Sequence, residues 1–152
     1  NLLSLTYATL LHYGFEDYKL KTKEIVDTTK YLVKEIKTIN DISVIGKPDL
    51  NVIGIKSNNL DIYAVSDKMK TLGWNLNNLQ YPSSIHLCVT SFHVSNDMRN
   101  KFIQDLKASV YEAKNSRDKN EESASIYGSS QKVSNRSIIK EITHGYLDCI
   151  YS

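Results

Sequence analysis

The sequence has little of what staples or interrupts a chain: two cysteines, two prolines and six glycines in 152 residues. Cys88 and Cys149 lie far apart with no CxxC spacing, which fits two reduced thiols better than a disulfide framework. No apolar run approaches the ~20 residues needed to cross a bilayer. No signal-peptide pattern opens the chain either, so membrane contact is expected only through segments outside it. Charge of one sign is also missing. Nineteen basic residues against seventeen acidic ones leave +2, and without a basic face the chain lacks the electrostatic footprint of a nucleic-acid binder. GxSxG, GxxxxGK and GxGxxG are all absent, which removes the usual anchors for acyl transfer, nucleotide hydrolysis and Rossmann-type dinucleotide binding.

What is present is an ordinary globular composition, 41% apolar and 24% charged. A chain of this length can bury about two thirds of the surface its unfolded form exposes, enough for one core without metals or disulfides. It opens on Asn1 with a helical pattern already running by Leu2. The expectation is a piece of a longer polypeptide, with missing chemistry supplied upstream.

Hydrophobic period separates the elements. Asn1 to Tyr13 reads as a helix apolar nearly all round, ended by Gly14 as a C-cap and in need of partners on several sides. From Tyr18, the positions Thr22, Ile25, Thr29, Leu32, Ile36 and Ile39 recur at spacings of three and four, opposite Lys23, Asp27, Lys30, Lys34 and Lys37. That is a long amphipathic helix whose lysines form a solvated face. Alternation then replaces the helical period: Ile42 and Val44, a Gly46-Lys47-Pro48-Asp49 turn, and Val52 to Ile55 predict a hairpin. Asn58 and Asn59 offer an N-cap to a helix with Ile62, Val65, Met69 and Leu72 on its buried stripe, closed by Gly73. Trp74 and Leu76, then Ile85, Leu87 and Val89, alternate as two further strands. Ser95 caps a helix carrying Met98, Phe102, Leu106 and Val110 inward. The division is residues 1–40, a helical connection; 41–113, an α+β core; 114–136, a polar loop around Ile126-Tyr127-Gly128; and 137–152, a terminal helix.

Four histidines are candidates for acid-base or metal chemistry. None lies in HExxH, and His86 with Cys88 on one strand face is half a metal site at best, so structural roles are expected for His12, His86, His93 and His144. Most of the ten tyrosines read as packing with their hydroxyls toward the surface. Tyr127, Tyr146 and Tyr151 are the ones whose position also suits a ligand channel.

One stretch is specific. The run Leu72-Gly73-Trp74-Asn75-Leu76-Asn77-Asn78-Leu79-Gln80-Tyr81-Pro82-Ser83-Ser84-Ile85-His86-Leu87-Cys88-Val89-Thr90 closely resembles the C-terminal part of the sphingosine-1-phosphate lyase family. So do Tyr7-Ala8, Leu11-His12-Tyr13-Gly14, Asp61-Ile62-Tyr63, Ser125-Ile126-Tyr127-Gly128 and Tyr146-Leu147-Asp148-Cys149-Ile150-Tyr151-Ser152. These are pyridoxal-phosphate enzymes of the group II decarboxylase type.

The resemblance implies an α+β fold: the C-terminal small domain of a fold type I pyridoxal-phosphate enzyme, an antiparallel sheet covered by helices. It further implies a homodimer, an upstream large domain, and cleavage of a phosphorylated sphingoid base to a long-chain aldehyde and phosphoethanolamine, a carbon–carbon lyase reaction. Pyridoxal phosphate is the electron sink in such chemistry. The family's cofactor lysine follows a histidine, and no His-Lys pair occurs here. That lysine is therefore expected outside this chain, no catalytic, cofactor or metal residue is assigned within it, and the chain alone is expected to be inactive. Tyr146 and Ile150 match positions that resemble the lining of the substrate access channel, and their spacing of four puts them on one helix face. Tyr127 is a third channel candidate, and ordinary packing stays open for all three. Location is expected to be cytoplasmic, or the cytosolic face of the endoplasmic reticulum if an upstream anchor exists. Two alternatives stand beside this reading: a free-standing α+β ligand-binding or regulatory module, and the small domain of a related amino-acid decarboxylase.

Overall fold

A computed structural model describes residues 2–115 and 136–151. The chain opens with helix α1 (Leu2–Ile36), which breaks at Gly14, where φ 65° and ψ −178° leave helical space. Glycine adopts that backbone without the steric penalty a Cβ would bring. Gly14 thus interrupts the helix as its sequence suggests, but the next turn starts at once rather than after a loop. The two halves then differ. Residues 2–20 are exposed, whereas Thr28, Thr29, Leu32 and Ile36 turn one stripe of the second half into the core.

Beyond α1, Asp41 takes a positive φ of 69°. Its carboxylate accepts from Lys114 Nζ at 2.7 Å and from Asn59 Nδ2 at 3.3 Å, and its carbonyl accepts from the Ser57 hydroxyl. One aspartate therefore ties the end of α1 to two distant elements. The hairpin follows as β1 (Ser43–Val44) and β2 (Val52–Lys56), paired antiparallel with Val44 opposite Ile55. Helix α2 (Ile62–Thr71) is capped by Asp61, whose carboxylate accepts the Tyr63 N–H at 2.9 Å. The cap expected of Asn58 or Asn59 is thus displaced. Ser57 already holds that turn by accepting the N–H groups of Asn59 and Leu60, and the helix starts later. Gly73, at φ 89°, closes α2 as expected.

Strand β3 (Asn77–Leu79) begins three residues after Trp74, directly beyond the Trp74-Leu76 alternation, because Trp74 is drawn into the core instead of pairing. Strand β4 (Ser84–Cys88) sits between β2 and β3 in a four-stranded antiparallel sheet of order β1-β2-β4-β3. A 3-10 turn at Ser91–His93, which no sequence signal announced, leads to α3 (Asn96–Asn115), where Ser95 Oγ accepts the Met98 N–H. Helix α4 (Arg136–Tyr151) ends the described chain. Of the polar loop read over 114–136, Lys114 and Asn115 belong to α3 and Arg136 to α4; the remainder lies outside the described residues.

Alternation along β2 and β4 sends Ile53, Ile55, Ile85 and Leu87 to one face, where they meet Leu32 and Ile36 of α1, Val65 and Met69 of α2, and Phe102 and Leu106 of α3 in a single cluster. Each such side chain contributes about 1.5–3 kcal/mol on burial. The other face carries Val52, Gly54, His86 and Cys88, and Val52 and Cys88 are open to solvent. The core is complete within the second half of α1 through α3. Among the described residues, no helix is long and apolar enough to cross a membrane.

Candidate functional site

Trp74, in the Gly-Trp-Asn-Leu-Asn run, is the most heavily engaged side chain of that segment. Its indole N–H donates to Asp105 Oδ2 at 2.7 Å, although 31 residues separate the two. Phe102 meets its ring edge-on at 5.0 Å between centroids and His93 stacks on it at 5.9 Å. Lys101 pairs with Asp105 and holds its ammonium 5.5 Å from the indole ring. Burial pushes the Asp105 carboxyl upward, but the Lys101 ammonium and the Trp74 N–H outweigh it and leave the group below the usual carboxylate range. An acceptor held anionic beside two donors anchors the segment; it does not transfer protons at neutral pH.

His93 is buried, and its Nδ1 accepts the Thr90 N–H at 3.1 Å, which assigns the ring proton to Nε2. Desolvation holds its pKa below the ordinary histidine value, only partly offset by the Thr90 contact. It is a neutral packing group. His86 sits on the open sheet face with Nε2 3.3 Å from Asn77 Nδ2, and Cys88 is a neighbour on that face. Among the described residues no group of three or more His, Cys, Asp or Glu could hold a metal.

The channel candidates lie elsewhere. Tyr146 and Ile150 are four residues apart on α4 and are 65% and 54% exposed; Ile142, Leu147 and Tyr151 are exposed as well. The spacing thus yields an apolar stripe, and no described side chain buries it. Tyr127 lies outside the described residues. None of the described lysines is buried, and the one resolved lysine shift, at Lys23, is upward through its hydrogen bond to Asp27. A lysine that carries a cofactor as an imine needs the opposite environment, desolvated and depressed. The described residues therefore do not fit covalent attachment of pyridoxal phosphate.

No family model matches the chain. Sphingosine-1-phosphate lyase 1 of Mus musculus is 37% identical over 152 residues, 99% of this chain and 27% of the relative. The Drosophila melanogaster sphingosine-1-phosphate lyase is 38% identical over 151 residues. This chain matches the sphingosine-1-phosphate lyases. In three dimensions the lyase of Burkholderia pseudomallei superimposes with a TM-score of 0.67 at 34% identity, covering 74% of this chain and 25% of that one. A glutamate decarboxylase of Lactobacillus brevis reaches 0.63 at 19% identity, again over 74% of this chain, a likeness of fold alone. The fold class is the expected one: α+β, an antiparallel sheet covered by helices, as in the small domain of fold type I pyridoxal-phosphate enzymes. The chain spans about a quarter of the length of the curated lyases it matches.

Trp74 was visible in the motif, but its partner Asp105 was not. The only sequence signal for Asp105 is its place one helical turn after Lys101.

Proposed function

We infer that this chain is the C-terminal portion of a pyridoxal-phosphate-dependent carbon–carbon lyase that cleaves phosphorylated long-chain bases to a long-chain aldehyde and phosphoethanolamine. The observation that carries the reading is identity of 37–38% to sphingosine-1-phosphate lyases over 99% of the chain. When bound, the cofactor supplies the electron sink for carbon–carbon cleavage. Its lysine lies in an upstream large domain, and residues 1–40 connect that domain to the α+β core at 41–113, with Leu32 and Ile36 already packed into that core. Exposed apolar side chains on the first half of α1, among them Leu2, Leu3, Leu5 and Leu11, support such a partner. The working protein is a homodimer, cytoplasmic or held at the cytosolic face of the endoplasmic reticulum by a segment outside this chain.

Within that enzyme, Tyr146 and Ile150 line the apolar corridor for the alkyl tail, with Tyr127 beside them. Support for the assignment is local: an aromatic and an aliphatic side chain share one face of α4 and find no cover in the described residues. A long tail with a phosphate head needs an apolar wall, and a ring edge next to a branched aliphatic chain makes one. Steady-state kinetics of the longer enzyme with two tail lengths tests this. Ile150→Trp should raise KM for the long-chain base more than for the short one, and Tyr146→Ala should weaken tail binding without altering cofactor absorbance. Equal effects on both substrates would return the two residues to packing.

A further inference from the structure

A cleft of about 390 Å³ opens where α1 bends at Gly14, between Thr9 and Tyr13 on one side of the bend and Tyr18, Lys21 and Ile25 on the other, with Ser91 of the 3-10 turn at its edge. Lys21 is half-buried there, and its ammonium lies 5.2 Å from the centroid of the Tyr13 ring. The lining contains no carboxylate. Asp27 pairs with Lys23 and Lys30 instead, so among the described residues Lys21 has no ionic partner.

Hydroxyl-bearing residues line the same space. The hydroxyls of Thr9 and Thr22 are committed to the carbonyls of Leu5 and Tyr18. Those of Tyr13, Tyr18 and Ser91 engage no described partner. The cleft is thus lined by one cation and by three residues whose hydroxyls have no described partner, with Ile25 and two tyrosines for an apolar body. An ammonium with no carboxylate beside it can accept an anion as its partner, and hydrogen bonds to a charged group are the stronger kind.

We propose that the cleft at the Gly14 bend binds a compact organic anion, a carboxylate or phosphate head on a short apolar body. Lys21, Tyr13, Tyr18 and Ser91 hold the head, and Ile25 and the tyrosine rings hold the body. This site is distinct from the terminal helix and does not depend on the lyase reading.

The test uses the 152-residue chain, whose core closes within itself, with hexyl phosphate, hexanoate, inorganic phosphate and hexylammonium followed by amide and tyrosine-ring NMR. Hexyl phosphate and hexanoate should give saturable shifts at Tyr13, Tyr18 and Ser91 with Kd at or below about 1 mM. Inorganic phosphate and hexylammonium should bind at least about tenfold more weakly, the first lacking the apolar body and the second carrying the wrong charge. Lys21→Met, which keeps the apolar stem, should cost about tenfold or more, Lys21→Arg should retain binding, and Lys19→Met should change nothing. Circular dichroism confirms that each variant is folded. Equal affinity in folded Lys21→Met, equal binding of hexylammonium, or no saturation by hexyl phosphate up to about 10 mM would overturn the proposal.

Discussion

Leu32 and Leu5 lie on the same helix and have opposite fates: the first is fully buried against the sheet, the second 66% exposed. The contrast runs through the molecule. From Ile25 to Val110 the buried apolar residues follow strand or helix period and pack into one cluster, whereas Leu2, Leu5, Leu10 and Leu11 of α1 and Ile142, Tyr146, Leu147 and Ile150 of α4 stay exposed. An apolar residue is placed by its period only when a second element arrives to cover it. Where no such element belongs to the described residues, an apolar pattern marks a surface for something else.

Truncation within the core gives the largest expected effect. Phe102→Ala or Leu106→Ala should destabilise the chain by about 3–5 kcal/mol in urea unfolding, since both side chains are fully buried. Leu5→Ala and Tyr146→Ala, removing comparable apolar groups at the exposed ends, should each stay within about 0.5 kcal/mol. Comparable losses from both pairs would erase the contrast. Trp74→Phe comes next: it keeps an aromatic ring but removes the donor to Asp105, and should cost about 1–3 kcal/mol.

A smaller effect is set by pH. His93 is held neutral below its ordinary pKa by burial, so the unfolded chain binds its proton first as pH falls. Stability from this group is present above the unfolded value of about 6.5 and is lost as pH drops through the folded one. Unfolding between pH 7 and pH 5 should show that loss in the parent chain and less of it in His93→Phe. An identical slope in both would remove His93 from the explanation. Smallest of all, the isolated chain with added pyridoxal phosphate should release no aldehyde from a phosphorylated sphingoid base. Measurable release would mean that the described residues carry more chemistry than their lysines, none of them buried, account for.

Much of the fold is legible in the sequence because period reports burial directly. Ile53 and Ile55 against Ile85 and Leu87 could be read from alternation alone, and Phe102, Leu106 and Val110 from helical spacing. Asp61 taking the cap from Asn58 and Asn59 could not, since several nearby side chains offer the same acceptor and the choice depends on where Ser57 ends the preceding turn. The shift of β3 past Trp74 has a similar origin: the pull of Asp105, His93 and Phe102 on the indole is long-range and leaves no local trace. For Tyr146 and Ile150, spacing gave the shared face but nothing about what covers it.

The contrast between closed core and open ends is tested most directly by hydrogen exchange measured twice, on the 152-residue chain and on the longer lyase that contains it. Amides of the strands and of α3 should exchange slowly in both. Those of residues 2–13 and of α4 should exchange at least about 100-fold more slowly in the longer protein than in the chain alone, as helices gaining tertiary cover do. Equal, rapid exchange of both helices in the two samples would contradict the reading of these apolar faces as surfaces covered by the rest of the enzyme.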